Sequence, residues 1–178
     1  MNSSRVVAAA ILLLAGGLAA GARVYGDDLP ANAADGMVDA SSVVNTGHWA
    51  AEVGRNGTVR SFIIPFQLPT LGPGNGFNGA DLRLNLYANS AVGYNADVYG
   101  LARVSDTSDF VVADFFLGAS DETATLIQGD LFTPSSGTGI TNTDDAGDTA
   151  LTDWLNLQYN SGTNAGKYVF LRVNPDAT

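Results

Sequence analysis

Residues 80–88 read Ala-Asp-Leu-Arg-Leu-Asn-Leu-Tyr-Ala, and apolar and polar side chains alternate through the whole segment. Leu82, Leu84 and Leu86 recur at period two, which places them on one face of a strand. Asp81, Arg83, Asn85 and Tyr87 then lie on the opposite face. Such a half-solvated strand is typical of an antiparallel sheet that covers one side of a sandwich.

The segments around this strand predict the same architecture. Residues 59–68 place Phe62, Ile64, Phe66 and Leu68 on one face, and Pro65 predicts an edge or an interruption there because it has no N–H. Further strands are predicted at residues 95–104, 123–132 and 167–173, and a weak one at 37–44. Asp148 is expected to cap a helix that runs to residue 160, and a short helix is favoured over a buried strand at 109–118. We therefore predict an all-β, antiparallel, jelly-roll-like β-sandwich with one or two short helices, folded as a single domain over residues 37–178.

The first 22 residues have the pattern of a secretory signal peptide. Arg5 precedes an apolar run, and Ala20-Gly21-Ala22 fits the small-x-small rule of signal peptidase. We predict cleavage before Arg23, a flexible leader over residues 23–36, and a mature protein outside the cell or at the cell surface. An uncleaved membrane anchor is the disfavoured alternative, because residues 6–22 are at the short limit for crossing a bilayer. After cleavage no contact with the membrane is expected.

Composition excludes several functions. The chain carries 18 acidic against 8 basic residues, a formal net charge of −10, which argues against a nucleic-acid partner. It has no Cys and a single His, so thiolate chemistry and multi-His metal sites are excluded. The lone His48 is expected to be a structural or surface residue, and Glu52 and Glu122 fall in predicted loops. No catalytic set is recognisable, and we expect a protein that is not an enzyme.

The order of the segments resembles a known family. It is carried by residues 60–68 (RSFIIPFQL), 80–86 (ADLRLNL), 97–101 (DVYGL), 151–155 (LTDWL) and 164–171 (NAGKYVFL). This succession resembles the DNRLRE-type domains of secreted bacterial and archaeal proteins, jelly-roll sandwiches similar to carbohydrate-binding modules. The resemblance spans roughly residues 58–173. It implies a further strand after the last one here, so it predicts a C-terminally truncated domain or a sandwich that lacks an edge strand.

An oxygen-rich loop is the candidate metal site. Asn142, Asp144, Asp145 and Asp148 lie within seven positions, and hard cations such as Ca²⁺ bind several loop oxygens. The spacing fails as an EF-hand, because position five is Ala and no Glu follows at position twelve. An irregular Ca²⁺ loop and a simply solvated loop are the remaining alternatives, and the second is favoured. Asp106, Asp109, Asp121 and Glu122 are weaker candidates. No other cofactor is expected.

Three tyrosines are the candidate ligand-binding residues. Tyr87, Tyr94 and Tyr99 lie on or beside predicted strands, and an exposed row of aromatic rings can stack on a sugar. The alternative, which we prefer, is that they cover sheet edges. The sequence thus favours a secreted, non-catalytic module with a structural, adhesive or glycan-binding role, whose partner is a polysaccharide or the cell-surface matrix. The alternative is a carbohydrate-active enzyme or an accessory module of one.

The predicted cleavage site is directly testable. Sequencing the N-terminus of the exported protein is expected to give Arg23, because the small residues before it suit signal peptidase. An N-terminus at Met1 would contradict the cleavage and favour the membrane anchor.

Overall fold

The structure is a computed structural model, and it describes residues 11–16, 28–30, 35–45, 53, 59–72, 74–89, 95–118 and 120–176. Its strands, in chain order, are β1 (Ile11–Gly16), β2 (Asp28–Pro30), β3 (Gly36–Val38), β4 (Val43–Asn45), β5 (Ser61–Gln67), β6 (Phe77–Leu86), β7 (Ala96–Ser105), β8 (Thr125–Phe132), β9 (Gly139–Asn142) and β10 (Tyr168–Pro175). The α-helix α1 spans Asp145–Tyr159, and 3₁₀ helices span Val112–Asp114 and Asn160–Gly162.

The described strands form two antiparallel sheets. One has the order β2-β1-β6-β9 and the other the order β4-β3-β5-β10-β7-β8. The helix α1 packs against β6, β7 and β8. The protein is therefore an all-β sandwich with little helix, as the alternating strands predicted.

The inner faces of the two sheets enclose one apolar core. Leu82, Leu84 and Leu86 of β6 are at most 1% exposed, and they meet Phe62 and Phe66 of β5. The predicted alternation is confirmed, because Asp81, Arg83 and Asn85 are half-buried on the opposite face and Tyr87 beyond them is exposed. Complete burial of a large apolar side chain contributes about 1.5–3 kcal/mol. These strands therefore supply much of the stability of the sandwich.

Pro65, which predicts an edge or an interruption, lies in a strand that is interior to its sheet. Leu68 N–H donates to Lys167 of the β10 side, so by the two-residue period the nitrogen of Pro65 points toward β3. Among the described residues, β3 pairs with Ser61, Phe62 and Ile63, and its first residue, Gly36, lies opposite Ile63. The described pairing with β3 therefore stops short of Pro65, which agrees with an interruption of the ladder at a residue without an N–H.

Gly100 allows the helix to pack on the larger sheet. A Cβ at Gly100 would lie 2.4 Å from Cε2 of Trp154, whose side chain is 2% exposed. The indole Nε1 of Trp154 donates to the carbonyl of Leu101 at 3.3 Å. A glycine inside a strand predicts a bulge or a close contact, and at Gly100 Trp154 of α1 makes that contact. The spacing of Leu151, Trp154, Leu155 and Tyr159 predicts that they share one face of the helix, and all four are buried.

The connection after β7 differs from its prediction. Within residues 109–118, where a short helix is predicted, the structure has a 3₁₀ helix of only three residues, Val112–Asp114. Val111 and Val112 are exposed, so the helical spacing of these apolar residues did not indicate a buried face. The Asp114 carboxylate accepts the backbone N–H of Val111 and also binds Arg103, which fixes the turn locally.

Two further boundaries differ from expectation. Residues 135–148 are rich in Gly, Ser, Thr and Asp, which predicts a loop, but they contain β9, which pairs with residues 83–86 of β6. The helix begins earlier than predicted, with Asp144 as its N-cap instead of Asp148, because Asp144 Oδ1 accepts the N–H groups of Ala146 and Gly147. Both segments are short and polar, so hydrophobic periodicity could not place them.

The N-terminal segments contain strands that were not predicted. Residues 11–16, inside the predicted signal peptide, pair with β6 on one side and β2 on the other, and β2 itself lies in the predicted leader. Cleavage before Arg23 stays a prediction, and it would remove β1 from this sheet. Among the described residues no helix is long and apolar enough to span a membrane.

The contact between Gly100 and Trp154 gives a test of the packing. We expect Gly100→Ala to lower the free energy of unfolding by about 1–3 kcal/mol, because the added methyl overpacks a buried ring. Urea denaturation followed by Trp fluorescence measures the change. Gly137→Ala is the matched control, since no atom lies within 4 Å of a Cβ there. Equal effects of the two substitutions would contradict the packing.

Candidate functional site

The outer face of the six-stranded sheet carries a buried charge. Strand β10 alternates, so Val169, Leu171 and Val173 enter the core while Arg172 lies on the opposite face. Its Nη2 is 2.6 Å from Oδ2 of Asp121, and these side chains are 2% and 4% exposed. A buried charge requires a partner of opposite sign, so this ion pair fastens the connection between β7 and β8 onto the sheet.

Arg172 has further partners above the sheet. Its Nη1 donates to the carbonyl of Asp114 at 3.2 Å. Its guanidinium carbon is 5.2 Å from the ring centroid of Tyr99 and 5.3 Å from that of Phe116, within the range of cation–π attraction. The guanidinium therefore lies between the sheet and the connection that covers it.

A second arginine fastens the same connection. Nε and Nη2 of Arg103 donate to the two oxygens of Asp114, at 3.2 and 2.6 Å, which is the bidentate geometry that suits a guanidinium. Nη1 of Arg103 donates to the carbonyl of Asp109, and the guanidinium carbon lies 3.6 Å from the ring centroid of Phe170. Both arginines thus hold residues 109–121 against β7 and β10.

The two ion pairs border a cavity of about 380 Å³ between the second half of β7 and the connection. This volume lies within the range of ligand-binding pockets. Four charged side chains line the cavity together with aromatic, hydroxyl and small residues: Leu101, Ala102, Arg103, Ala113, Asp114, Phe115, Phe116, Asp121, Thr123 and Arg172.

The carboxylate of Asp121 is held ionised. Burial raises the pKa of Asp121, but hydrogen bonds from the Thr123 hydroxyl, from Arg172 and from the Thr123 N–H outweigh burial and lower it below the usual value of 3.8. Asp121 is therefore a hydrogen-bond acceptor at neutral pH and is unsuited to general acid catalysis, which requires a raised pKa.

A carboxylate cluster lies at one end of the same sheet. Asp97 near the start of β7, Asp130 of β8 and Asp176 after β10 each offer an oxygen, and these oxygens lie within 4.8 Å of one another. The N–H of Asp130 donates to Oδ1 of Asp97 at 2.7 Å, and the N–H of Asp176 donates to the carbonyl of Asn95 at 2.9 Å. Backbone hydrogen bonds therefore place all three carboxylates together.

Burial and the neighbouring carboxylates make Asp176 harder to ionise than an ordinary aspartate. The pKa of Asp176 is raised from 3.8 to about 6, by burial first and then by the charge of Asp97, its hydrogen bond and the charge of Asp130. The ion pairs formed between described residues do not include any of the three. Within the part of the chain that the structure describes, these three carboxylates therefore lie close together without an ion-pair partner.

The predicted Ca²⁺ loop has a structural role where it meets the helix. Asp144 is the N-cap of α1, which lowers its pKa through the N–H of Gly147 and the side chain of Gln128. Asp148 accepts the hydroxyl of Thr143, Asp145 is the first residue of α1, and Asn142 pairs with Arg83 in the sheet. Among the described residues, the carboxylates of Asp144, Asp145 and Asp148 do not form a group of close oxygens, and Ca²⁺ binding by this loop stays a prediction.

The predicted tyrosine row is not assembled as expected. Tyr87 is 59% exposed, as its strand face predicted, but Tyr99 is 2% exposed beneath Arg172. A buried ring cannot stack on a ligand at the surface, so this corrects the prediction for Tyr99. Tyr94 lies outside the described residues, as do His48 and Glu52.

Sequence reasoning missed Arg103, Arg172 and the carboxylates at 97, 130 and 176. The signal that could have found Arg172 is a lone charge between Leu171 and Val173, in a strand whose neighbours are apolar. Asp97 similarly precedes an apolar run. Asp121 was a weak candidate for a metal ligand, and the structure makes it an ion-pair partner. Glu122, Asp106 and Asp109 are exposed.

No protein-family model matches the chain, and no curated protein or solved structure shows detectable similarity to it. The resemblance to DNRLRE-type domains therefore remains a prediction.

The buried ion pair between Arg172 and Asp121 can be tested by mutation. We expect Asp121→Asn to lower the free energy of unfolding by about 3–5 kcal/mol, because Arg172 would keep its charge in a buried position without a counter-charge. Urea denaturation measures the difference, and Asp106→Asn, which removes an exposed carboxylate, is the control. Because the folded pKa of Asp121 is lowered, its contribution is present above pH 3.8 and is lost as the pH falls below that value. A cost no larger than that of the control would contradict the role of the pair.

Proposed function

We propose that the chain is a secreted, non-catalytic β-sandwich module that binds a carbohydrate in the cavity between β7 and the connection over the outer face. The observation that carries the proposal is the mixed lining of this cavity, in which two guanidinium groups, two carboxylates and a hydroxyl lie beside two aromatic rings. The signal-peptide pattern supports the secreted location.

The lining suits the chemistry of a sugar. Sugar hydroxyls both donate and accept hydrogen bonds, so they need a site with both kinds of partner. Asp114 and Asp121 each accept three hydrogen bonds within the protein, and a carboxylate has about four acceptor positions. One position on each carboxylate is thus left for a ligand. Phe115 and Phe116 are half-buried and provide apolar surface for the C–H groups of a sugar ring.

The ion pairs also favour binding energetically. Arg103 and Asp114 are held in a bidentate pair, so a ligand does not have to immobilise flexible side chains. Binding to groups that are already ordered avoids much of the entropy cost of ordering them. The cavity therefore supports recognition by a preorganised site.

The same pairs disfavour hydrolysis, the alternative function. A glycoside hydrolase needs one carboxyl group that stays protonated as the general acid. In this cavity Asp114 and Asp121 both pair with arginines, and the pKa of Asp121 is lowered. This supports a binding module over an enzyme.

The test is affinity electrophoresis of the purified protein through gels that contain a panel of polysaccharides. We expect at least one polysaccharide to retard the protein, and Ala102→Trp to weaken that binding about tenfold or more, because the indole would fill the cavity from an exposed position. Ala146→Trp, on the exposed surface of α1, is the matched control and is expected to bind as wild type.

Three results would overturn the proposal. They are a protein that no polysaccharide retards, binding that survives Ala102→Trp, and release of reducing sugars by the wild-type protein, which would favour the enzyme. Binding lost in Tyr87→Ala but kept in Ala102→Trp would place the site on the solvated face of β6 instead of in the cavity.

A further inference from the structure

We propose that the exported protein forms a two-fold symmetric dimer, in which β6 of one chain pairs antiparallel with β6 of a second copy along the edge that β1 occupies in this structure. The proposal rests on the secreted location in the proposed function, because cleavage before Arg23 is what removes β1 (Ile11–Gly16). It is separate from carbohydrate binding, since the cavity lies on the six-stranded sheet and β6 belongs to the other one.

The edge of β6 that faces β1 is the surface concerned. Among the described strands, β6 lies between β1 and β9. Strand β1 pairs with residues between 77 and 83 of β6, and β9 pairs with residues 83–86. Loss of β1 therefore turns β6 into an edge strand, whose N–H and C=O groups are a template for another strand.

Hydrogen bonds show which backbone groups of β6 face this edge. The N–H of Leu82 donates to Oγ1 of Thr143 at 3.0 Å, and the carbonyl of Leu82 accepts the N–H of Thr143 at 3.0 Å, so these groups face β9. By the two-residue period of a strand, the N–H and C=O groups of Asp81 and Arg83 face the edge that β1 leaves. They are the groups that a second strand would bind.

The charges of β6 are self-complementary about Leu82. A two-fold axis at Leu82 places Asp81 of each chain directly opposite Arg83 of the other, on the outer face of the sheet, and opposite charges at such positions stabilise a strand pair. The axis also makes Leu82 with Leu82 a non-hydrogen-bonded pair between two hydrogen-bonded pairs, which is the alternation of an antiparallel ladder. In the precursor, Asp81 and Arg83 lie opposite Leu13 and Ile11, which carry no charge. A second copy therefore supplies two pairs of opposite charge that β1 does not provide.

The core-facing positions are matched as well. Strand β1 places Leu12 opposite Leu82 and Leu14 opposite Ala80. In the dimer, the second copy places its own Leu82 and Leu84 at these two positions. A leucine therefore lies opposite Leu82 and Ala80 in both arrangements, and the second copy replaces β1 residue for residue on this face.

Strand β2 is a poorer occupant of the same edge. It has only three residues, Asp28–Pro30, and the pairing described for it is with β1. Pro30 has no N–H to donate to a ladder. A second β6 offers ten residues, Phe77–Leu86, together with the complementary charges.

The test starts from the full-length precursor, expressed in a bacterial host that exports it. The N-terminus of the exported product is sequenced, and its mass is measured by sedimentation at physiological salt, where repulsion between acidic copies is screened. We expect Arg23 at the N-terminus and a dimer that dissociates on dilution.

Charge reversal at the two-fold axis tests the register. Asp81→Arg places two guanidinium groups opposite each other in both pairs, and it is expected to raise the Kd of the dimer about tenfold or more. Arg83→Asp is expected to have the same effect, because it opposes two carboxylates. The double variant Asp81→Arg with Arg83→Asp restores opposite charges, so its Kd is expected to return close to that of wild type. Asp106→Arg, the same change at an exposed carboxylate outside β6, is the matched control and is expected to dimerise as wild type.

Each outcome bears on a different claim. An exported product that begins at Arg23 and is monomeric overturns the dimer and leaves the carbohydrate proposal intact. A product that begins at Met1 overturns the dimer together with the predicted cleavage. A dimer that survives both single reversals, or that the double variant fails to restore while circular dichroism shows it folded, overturns pairing through β6.

Discussion

The ion pair between Arg172 and Asp121 is the constraint on which the outer face depends. A guanidinium that is 2% exposed, in a strand packed between two others, is tolerated only with a counter-charge. Asp121 supplies that charge from the connection between β7 and β8, and Asp114 adds its carbonyl. The connection is thereby held above the sheet, and a cavity forms between the two.

The two faces of the six-stranded sheet therefore make different kinds of contact. Its inner face joins the other sheet and α1 in the apolar core, where Gly100 admits Trp154. Its outer face combines a small apolar cluster, which includes Val38, Ile63 and Phe170, with the ion pairs. Tyr99 connects the two polar features of this face, since its ring lies near Arg172 and its hydroxyl near Asp97.

Much of the sandwich could be predicted from the sequence, whereas most of the candidate site could not. Period-two burial in β6 and the buried face of α1 follow from local patterns, and they are confirmed. In β5 the predicted face of Phe62, Ile64 and Phe66 enters the core, but the opposite face is buried as well, up to Pro65. The site depends on contacts distant in sequence, such as Arg172 with Asp121, which no local pattern reports. The oxygen-rich loop is a further example, because composition could not show that Asp144 and Asp148 serve the start of a helix. Pro65 is another example of a feature that local patterns cannot predict. Whether β5 can hold a proline there depends on how far the described pairing with β3 extends.

Amide hydrogen exchange tests the central claim most directly, by comparing wild-type protein with Asp121→Asn. If the buried pair fastens the connection, exchange in residues 106–124 accelerates more than exchange in β5 and β10, because the connection opens before the sheet does. Equal acceleration in all three segments, or none in residues 106–124, would contradict the claim that this pair holds the connection and shapes the cavity.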